Sequence, residues 1–409
     1  MDRTRNDWRR KTADEVIRAY ADIPRLPTSP GEHQVAEALA ERLGGLGCDS
    51  AVERERATAS YALPIGALCV AGLAAGVVSG RWGRRPAVRW VAGAAAAAVA
   101  AMIADDVAGG ARWFRRAVIP HRRAHNVVAS GGDRSAARTV VVLAHHDAAP
   151  SGVIFDQRVM RWIIRRFPRL IAAVHTNPPI WWPVILGPAL IAAGALRDSR
   201  GLRRAGLVLT ATNLAVLIDI ARRPAVPGAN DNLSGVAALV CVAESLHRTP
   251  ITGLRVVFVS AGAEEALQEG IRAFARRHFA TLDPDTCFIN LESLGSGHLA
   301  LLEGEGPVRM RDYAEPFRSF VAKCAQDIDV SLTRGLRSRN STDSEVPRRH
   351  GFPVATIVSL DPNRLITHYH LESDIPDNVD LASVVAAAEL AEHVIRELAQ
   401  EHKQPPTRH

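Results

Sequence analysis

Four uncharged stretches interrupt an otherwise ordinary alternation of polar and apolar positions along the 409-residue chain. Residues 61–78 and 178–196 are apolar throughout, and 90–104 and 205–218 are shorter apolar runs, the first of them mostly alanine. A bilayer core takes about 20 apolar residues in a helix, with about 17 as the lower limit. By that measure 61–78 and 178–196 are long enough to cross, and 90–104 and 205–218 are marginal. Arg81, Arg84, Arg85 and Arg89 separate the first pair, and Arg197, Arg200, Arg203 and Arg204 the second. The pattern predicts two apolar helical hairpins, 61–110 and 161–224, with Trp181 and Trp182 placed as an interfacial belt. Hairpins buried against protein, or lying in the interface, would show the same pattern.

Between these stretches the periodicity is that of an α/β protein. Residues 13–21 and 32–46 repeat with the helical period, and Pro24, Pro27, Ser29 and Pro30 break the run between them. Residues 139–144, 254–260, 286–291 and 353–359 are short β-rich runs that predict buried strands. Residues 234–247, 269–279 and 381–399 predict helices. Strands alternating with helices imply a sheet covered on both faces. The chain therefore divides into an N-terminal helical part (1–60), hairpin 1 (61–110), a first strand region (111–160), hairpin 2 (161–224), the main α/β part (225–400) and a frayed tail (401–409). Residues 1–12 are polar and basic, so no secretory signal peptide is expected.

Composition changes this picture in two ways. With 47% apolar and 23% charged residues the chain is neither disordered nor collagen-like. Its five cysteines form no CxxC, which excludes a disulfide scaffold and a cysteine zinc site. The net charge of +7 is unevenly spread. Residues 1–224 hold 32 basic against 18 acidic side chains, and residues 225–409 hold 18 against 25. The arginines cluster at the ends of the apolar spans and no nucleic-acid motif accompanies them, so anionic lipid headgroups are the expected partner and nucleic acid is not. Fourteen arginines flank the spans on the side of the main body, against eight in the hairpin tips. The positive-inside rule then places a multi-pass protein in the cell membrane with its α/β part in the cytoplasm.

The candidate chemistry sits just past the strands. His145-His146-Asp147 follows the first, Glu264-Glu265 the second and Glu292 the third; the fourth leads to His368-Tyr369-His370. Asp231 lies in the turn GANDNLSG that opens a helix. Ligands of open α/β sheets bind outside the carboxyl ends of the strands, so these groups are expected at one edge. Imidazole and carboxylate without thiolate suit zinc. Two ions about 3.5–4 Å apart would share one carboxylate, and an adjacent carboxylate could act as base. His368 and His370 both remain candidates for the last ligand on spacing alone.

HxD after a strand, GANDNLSG, GAEE, NLE and YHxxxD, in this order, resemble the M28 family of zinc aminopeptidases. The Asn126-Val127-Val128 strand and the PDNVD before the last helix match as well. The likeness covers about 1–60, 120–160 and 225–400, and leaves the hairpins as insertions. It implies an α/β/α sandwich with a mixed central sheet and two zinc ions per chain. It assigns His145, Asp231 and Glu292 to one ion and Asp231, Glu265 and His370 to the other, with Asp231 bridging. Asp374, at the family spacing, selects His370 over His368. Glu264 becomes the general base, Asp147 the residue that orients His145, and Tyr369 an oxyanion donor. Two positions depart from the pattern: Glu292 stands where the family more often has Asp, and Thr342-Asp343-Ser344 where it often has SDH.

The expected function is a membrane-attached dizinc aminopeptidase acting on peptides. A glutaminyl-cyclase-like or carboxypeptidase-type zinc enzyme, and a non-catalytic protein on a peptidase scaffold, are the alternatives. The sequence carries no indication of oligomeric state.

Overall fold

A computed structural model describes residues 3–169 and 174–400. The expected tail at 401–409 lies outside the described residues, as do 170–173 within the second insertion. The centre is a seven-stranded mixed sheet in the order β1-β2-β4-β3-β5-β10-β6. Its strands are β1 (Asp49–Ala57), β2 (Arg122–Gly132), β3 (Thr139–His145), β4 (Arg255–Ala261), β5 (Cys287–Glu292), β6 (His298–Leu301) and β10 (Val354–Leu360). Strands β4, β3, β5 and β10 run parallel, while β1, β2 and β6 pair antiparallel. A small second sheet joins β7 (Gly304–Glu305), β8 (Arg311–Asp312) and β9 (Arg337–Ser338).

The period-2 alternation of the central strands explains the layers. Val140, Val142 and Ala144 of β3 enter the core of one face, and Val141 and Leu143 the core of the other; Val256 and Phe258 of β4 oppose Val257 and Val259 in the same way. The first face is covered by α1 (Arg3–Ala21), α2 (Pro30–Gly45), α9 (Ser234–Arg248), α11 (Glu315–Asp327) and α13 (Leu381–Gln400). The second is covered by α10 (Glu269–His278) and α12 (Glu345–Arg349). This is the α/β/α sandwich with a mixed sheet. Ser29 caps α2 by accepting from the Glu32 N–H at 3.2 Å, and Pro30 opens it, so the Pro/Ser break is a helix start.

The apolar stretches fold as α3 (Ala62–Trp82), α4 (Pro86–Val107), α7 (Trp182–Leu196) and α8 (Arg200–Arg222). Two short helices lie beside them, α5 (Trp113–Val118) and α6 (Gln157–Arg166). The ranking of span lengths from sequence is corrected here. Helices α3, α4 and α8 are long and apolar enough to cross a membrane, but α7 has only 15 residues. At 1.5 Å per residue α7 spans about 22 Å, short of the roughly 30 Å of a bilayer core. Pro178 and Pro179 are the reason. A residue before proline is driven out of the helical region, and proline cannot donate, so the helix starts only at Trp182. Runs 90–104 and 205–218 lengthen instead, because flanking arginines and polar residues continue the helices.

The two hairpins, far apart in sequence, pack together as one four-helix bundle. Arg89 pairs with Asp198 at 2.9 Å, which ties the two arginine-rich tips together. Helices α7 and α8 touch through glycine: a Cβ on Gly206 would lie 2.6 Å from the Ile191 nitrogen, so this close approach needs a residue without one. At the other end Tyr61 meets Trp181 edge to face at 5.4 Å. Among the described residues, every exposed large apolar side chain lies between Leu63 and Ile218.

Candidate metal centre

The carboxyl ends of the parallel strands meet above the centre of the sheet. His145 is the last residue of β3, Glu292 the last of β5, and Glu264 and Glu265 follow β4 after Gly262 and Ala263. Asp231 lies in the turn before α9, and His370 in the loop between β10 and α13. The side chains of all six are buried or nearly so.

Around Asp231 the geometry splits in two. Its Oδ1 lies 3.5 Å from His145 Nε2, and its Oδ2 lies 3.2 Å from His370 Nε2. Glu292 Oε1 is 3.4 Å from the same nitrogen of His145, and Glu265 Oε1 is 3.3 Å from that of His370. His145, Asp231 and Glu292 thus form one cluster with ligand spacing, and Asp231, Glu265 and His370 another. A third grouping of His145 with Glu264 and Glu265 also has that spacing. Glu264 is its looser member: Oε2 is 4.0 Å from His145, and Oε1 accepts a bond from Gln268 Nε2 at 2.9 Å. His368 joins none of these clusters, and its Nδ1 bonds Ser373 Oγ at 2.8 Å.

Supporting bonds hold this arrangement. The Asp147 carboxylate accepts from the backbone N–H groups of Glu264 and Glu265, each at 3.0 Å. The Asp147 carbonyl lies 3.2 Å from His145 Nδ1. A proton on Nδ1 shared with that carbonyl leaves Nε2 with a free lone pair facing Asp231 and Glu292. Asp374 accepts from the N–H groups of Asn230 and Asp231 at 2.7 and 3.1 Å. Ser293 Oγ donates to Asp231 Oδ1 at 3.2 Å. The Tyr369 ring stacks on His370 at 3.9 Å and borders the cavity above the cluster. Ala263, Ser293 and His370, one in each of three loops, adopt left-handed backbone although none is glycine. Such positions cost about 1–3 kcal/mol each and persist where the surroundings over-determine them.

Three supporting residues have no signal in the sequence reading. Arg25 is fully buried beneath the site, and its guanidinium donates to the carbonyls of His146, Pro227 and Gly228 at 2.8, 2.6 and 2.7 Å. It thereby joins the loop after β3 to the turn that carries Asp231. Burial lowers its pKa to about 10, which leaves it charged at neutral pH. Gln268 and Ser293 are common residue types whose roles exist only through the chain's return to the site. Asp374, seen in sequence only as a spacing marker, proves to brace the Asp231 turn.

Electrostatics show what the cluster is suited to hold. Burial first, with Asp343, Glu265 and Glu292 adding, drives Glu264 well above the usual carboxylate range. Burial works against charge on His370, yet Glu265 and Asp231 outweigh it and raise its pKa to about 10. Burial likewise opposes charge on His145, and Glu292, Asp147 and Asp231 together carry it well above its ordinary value. Burial would raise Asp231, but His145 and His370 pull it below the carboxylate range. The site holds more negative than positive groups in a place water cannot screen. Asp231 Oδ2, Glu292 Oε2 and His370 Nε2 are buried without a hydrogen-bond partner. Unpartnered buried ligand atoms in two clusters of carboxylate and imidazole fit bound divalent cations of the zinc type.

The model of peptidase family M28 matches residues 211–395. No curated protein sequence matches the chain. Among solved structures it resembles a glutaminyl cyclase of Bacteroides thetaiotaomicron at 14% identity, covering 95% of this chain and 97% of that one, with a TM-score of 0.56. It also resembles a zinc aminopeptidase from Bacillus subtilis at 13% identity, covering 97% and 96%, with a TM-score of 0.54. A leucine aminopeptidase precursor of Bacteroides thetaiotaomicron aligns at 14% identity over 95% and 96%, with a TM-score of 0.54. At such identities these structures establish the fold alone. His145 lies ahead of the matched span, and strand pairing of β3 with β4 and β5 brings it to the site. Residues 211–395 thus match the model of peptidase family M28, within a chain whose mixed α/β fold is like that of the zinc aminopeptidases.

Proposed function

We propose that this chain is a membrane-attached aminopeptidase with two zinc ions, which removes N-terminal residues from peptides. The observation that carries the reading is Asp231. Its two carboxylate oxygens face two different histidines, each of which has one further carboxylate beside it. That is the arrangement a bridging ligand needs. His145, Asp231 and Glu292 would hold one ion, and Asp231, Glu265 and His370 the other. Zinc bound there supplies Lewis acidity, which acidifies water and polarises a carbonyl.

The remaining work falls to the protein. Glu264 sits beside both clusters, and Gln268 and Asp147 fix its side chain and backbone. Its carboxylate takes a proton from the attacking water and returns it to the leaving amine. Tyr369, which lines the cavity, would donate to the developing oxyanion. Asp147 keeps His145 in orientation through Nδ1. The four apolar helices would anchor the enzyme in the bilayer, with α7 reaching the surfaces through its non-helical Pro178–Trp181 lead and its flanking arginines. The excess of arginine on the side of the main body favours a cytoplasmic site.

Hydrolysis of aminoacyl 4-nitroanilides by detergent-solubilised, zinc-loaded protein tests this function. We expect release of nitroaniline from free-amino substrates, none from N-acetylated ones, and loss of the reaction on chelation. Cyclisation of N-terminal glutamine in place of hydrolysis would replace the aminopeptidase reading with a cyclase.

A further inference from the structure

The bundle meets the metal centre as well as flanking it. A cavity of about 120 Å³ opens above Glu264, Glu265 and His370. Pockets for whole drug-sized ligands are roughly 300–1,000 Å³, so this one receives a single side chain. Its wall opposite the metal ligands comes from the second insertion and the segment leading into it. Ile154 and Phe155 precede α6, Trp181 and Val184 begin α7, and Leu217 and Ile220 end α8. The Phe155 ring sits 4.4 Å from that of His370, so this wall reaches the metal ligands themselves.

The wall's chemistry is one-sided. Beyond the catalytic groups, the polar lining consists of Asn213, Gln268, Asn340 and Ser341, which are neutral, and the Tyr61 ring. A lysine, arginine or glutamate side chain entering here finds no counter-ion of its own, and burying such a charge unpaired is costly. An apolar side chain gains about 25 cal/mol for each Å² removed from water. The rim is apolar as well: Ile154 is 50% exposed and Ile180 40%.

Resting on the aminopeptidase reading, we propose that the base of the membrane bundle is the specificity pocket of this enzyme and selects a large apolar N-terminal residue such as leucine or phenylalanine. Selection then resides in the inserted helices, while hydrolysis resides in the family domain. The substrate's first side chain rests against helix ends that continue into the apolar bundle, so peptides with apolar amino termini are the class this site takes.

The test is a kcat/KM profile of full-length, zinc-loaded protein in detergent on leucyl, phenylalanyl, alanyl, lysyl and glutamyl 4-nitroanilides. We expect leucyl and phenylalanyl substrates to exceed alanyl, lysyl and glutamyl by at least about tenfold. Ile154→Glu, at the half-exposed rim, should shift the lysyl-to-leucyl ratio at least about tenfold toward lysyl with zinc content unchanged. Val184→Phe, which fills the cavity, should depress the phenylalanyl rate while sparing the alanyl one. Should either variant lose its zinc, the wild-type profile alone decides. Cleavage of free-amino substrates without apolar preference, or with ratios unmoved in the zinc-loaded variants, overturns the pocket and leaves the aminopeptidase reading standing. No cleavage of any free-amino substrate overturns both.

Discussion

Glu264 and Glu265 are adjacent and chemically identical, yet the turn after β4 gives them different environments. Glu265 faces His370 at 3.3 Å, while Glu264 is held by Gln268 and stands back from His145. A carboxylate kept off the ligand set but beside it is positioned to move a proton. Glu264→Gln keeps the shape and the Gln268 contact while removing basicity. We predict a fall in kcat of about 10²–10⁴-fold with unchanged zinc content, read by steady-state kinetics alongside elemental analysis. A normal rate would remove Glu264 from the mechanism. The sequence indicates most of the candidate ligands because they end a strand, follow one closely or open a helix, where position in the chain forecasts position in space; His370, ten residues past β10, is marked only by the family spacing. The sequence could not indicate Arg25, whose carbonyl partners include His146, Pro227 and Gly228 from two distant loops. Nor could it separate His368 from His370 without the family spacing; in the structure a left-handed backbone at both sends only His370 to the cluster.

At the scale of elements, β3, β4, β5 and β10 are readable to within one residue because both faces are buried and their runs are continuously apolar. The edge strand β1 is not. Its sequence DSAVERERA is dominated by charge, and it forms because β2 offers a free edge for nine paired positions. Charged side chains suit such an edge, where they discourage pairing with another chain. The bundle gives the reverse lesson. Uninterrupted apolar length overrated residues 178–196, because Pro178 and Pro179 delay α7, and underrated the runs that continue through arginine. Helix length, not run length, is what a bilayer meets. The membrane reading predicts that hairpin tips and α/β part lie on opposite sides. With Cys48 and Cys287 replaced by serine, Arg84→Cys and Arg200→Cys should react with an impermeant maleimide only from outside intact cells. Labelling only from the cytoplasmic side of inverted vesicles would contradict a spanning bundle.

In the whole molecule the two apolar segments interrupt the α/β fold at separate points and reunite as one bundle, with arginine tips at one end and the cavity above Glu264 at the other. The uneven charge follows from that division. Arginine gathers around the bundle, and acidic side chains gather in the half that supplies Asp231, Glu264, Glu265 and Glu292. No reading of local periodicity could show that the hairpins meet, since their contact joins segments separated by β2 and β3. The account stands or falls on a centre with two ions sharing Asp231. The most direct test is the number of zinc ions per chain, measured by elemental analysis after dialysis against metal-free buffer, in the wild type and in His145→Ala. We predict two in the wild type and one in the variant, because only the cluster with Asp231 and Glu292 loses its imidazole. A single zinc in the wild type, unchanged in His145→Ala, would contradict the two-ion centre.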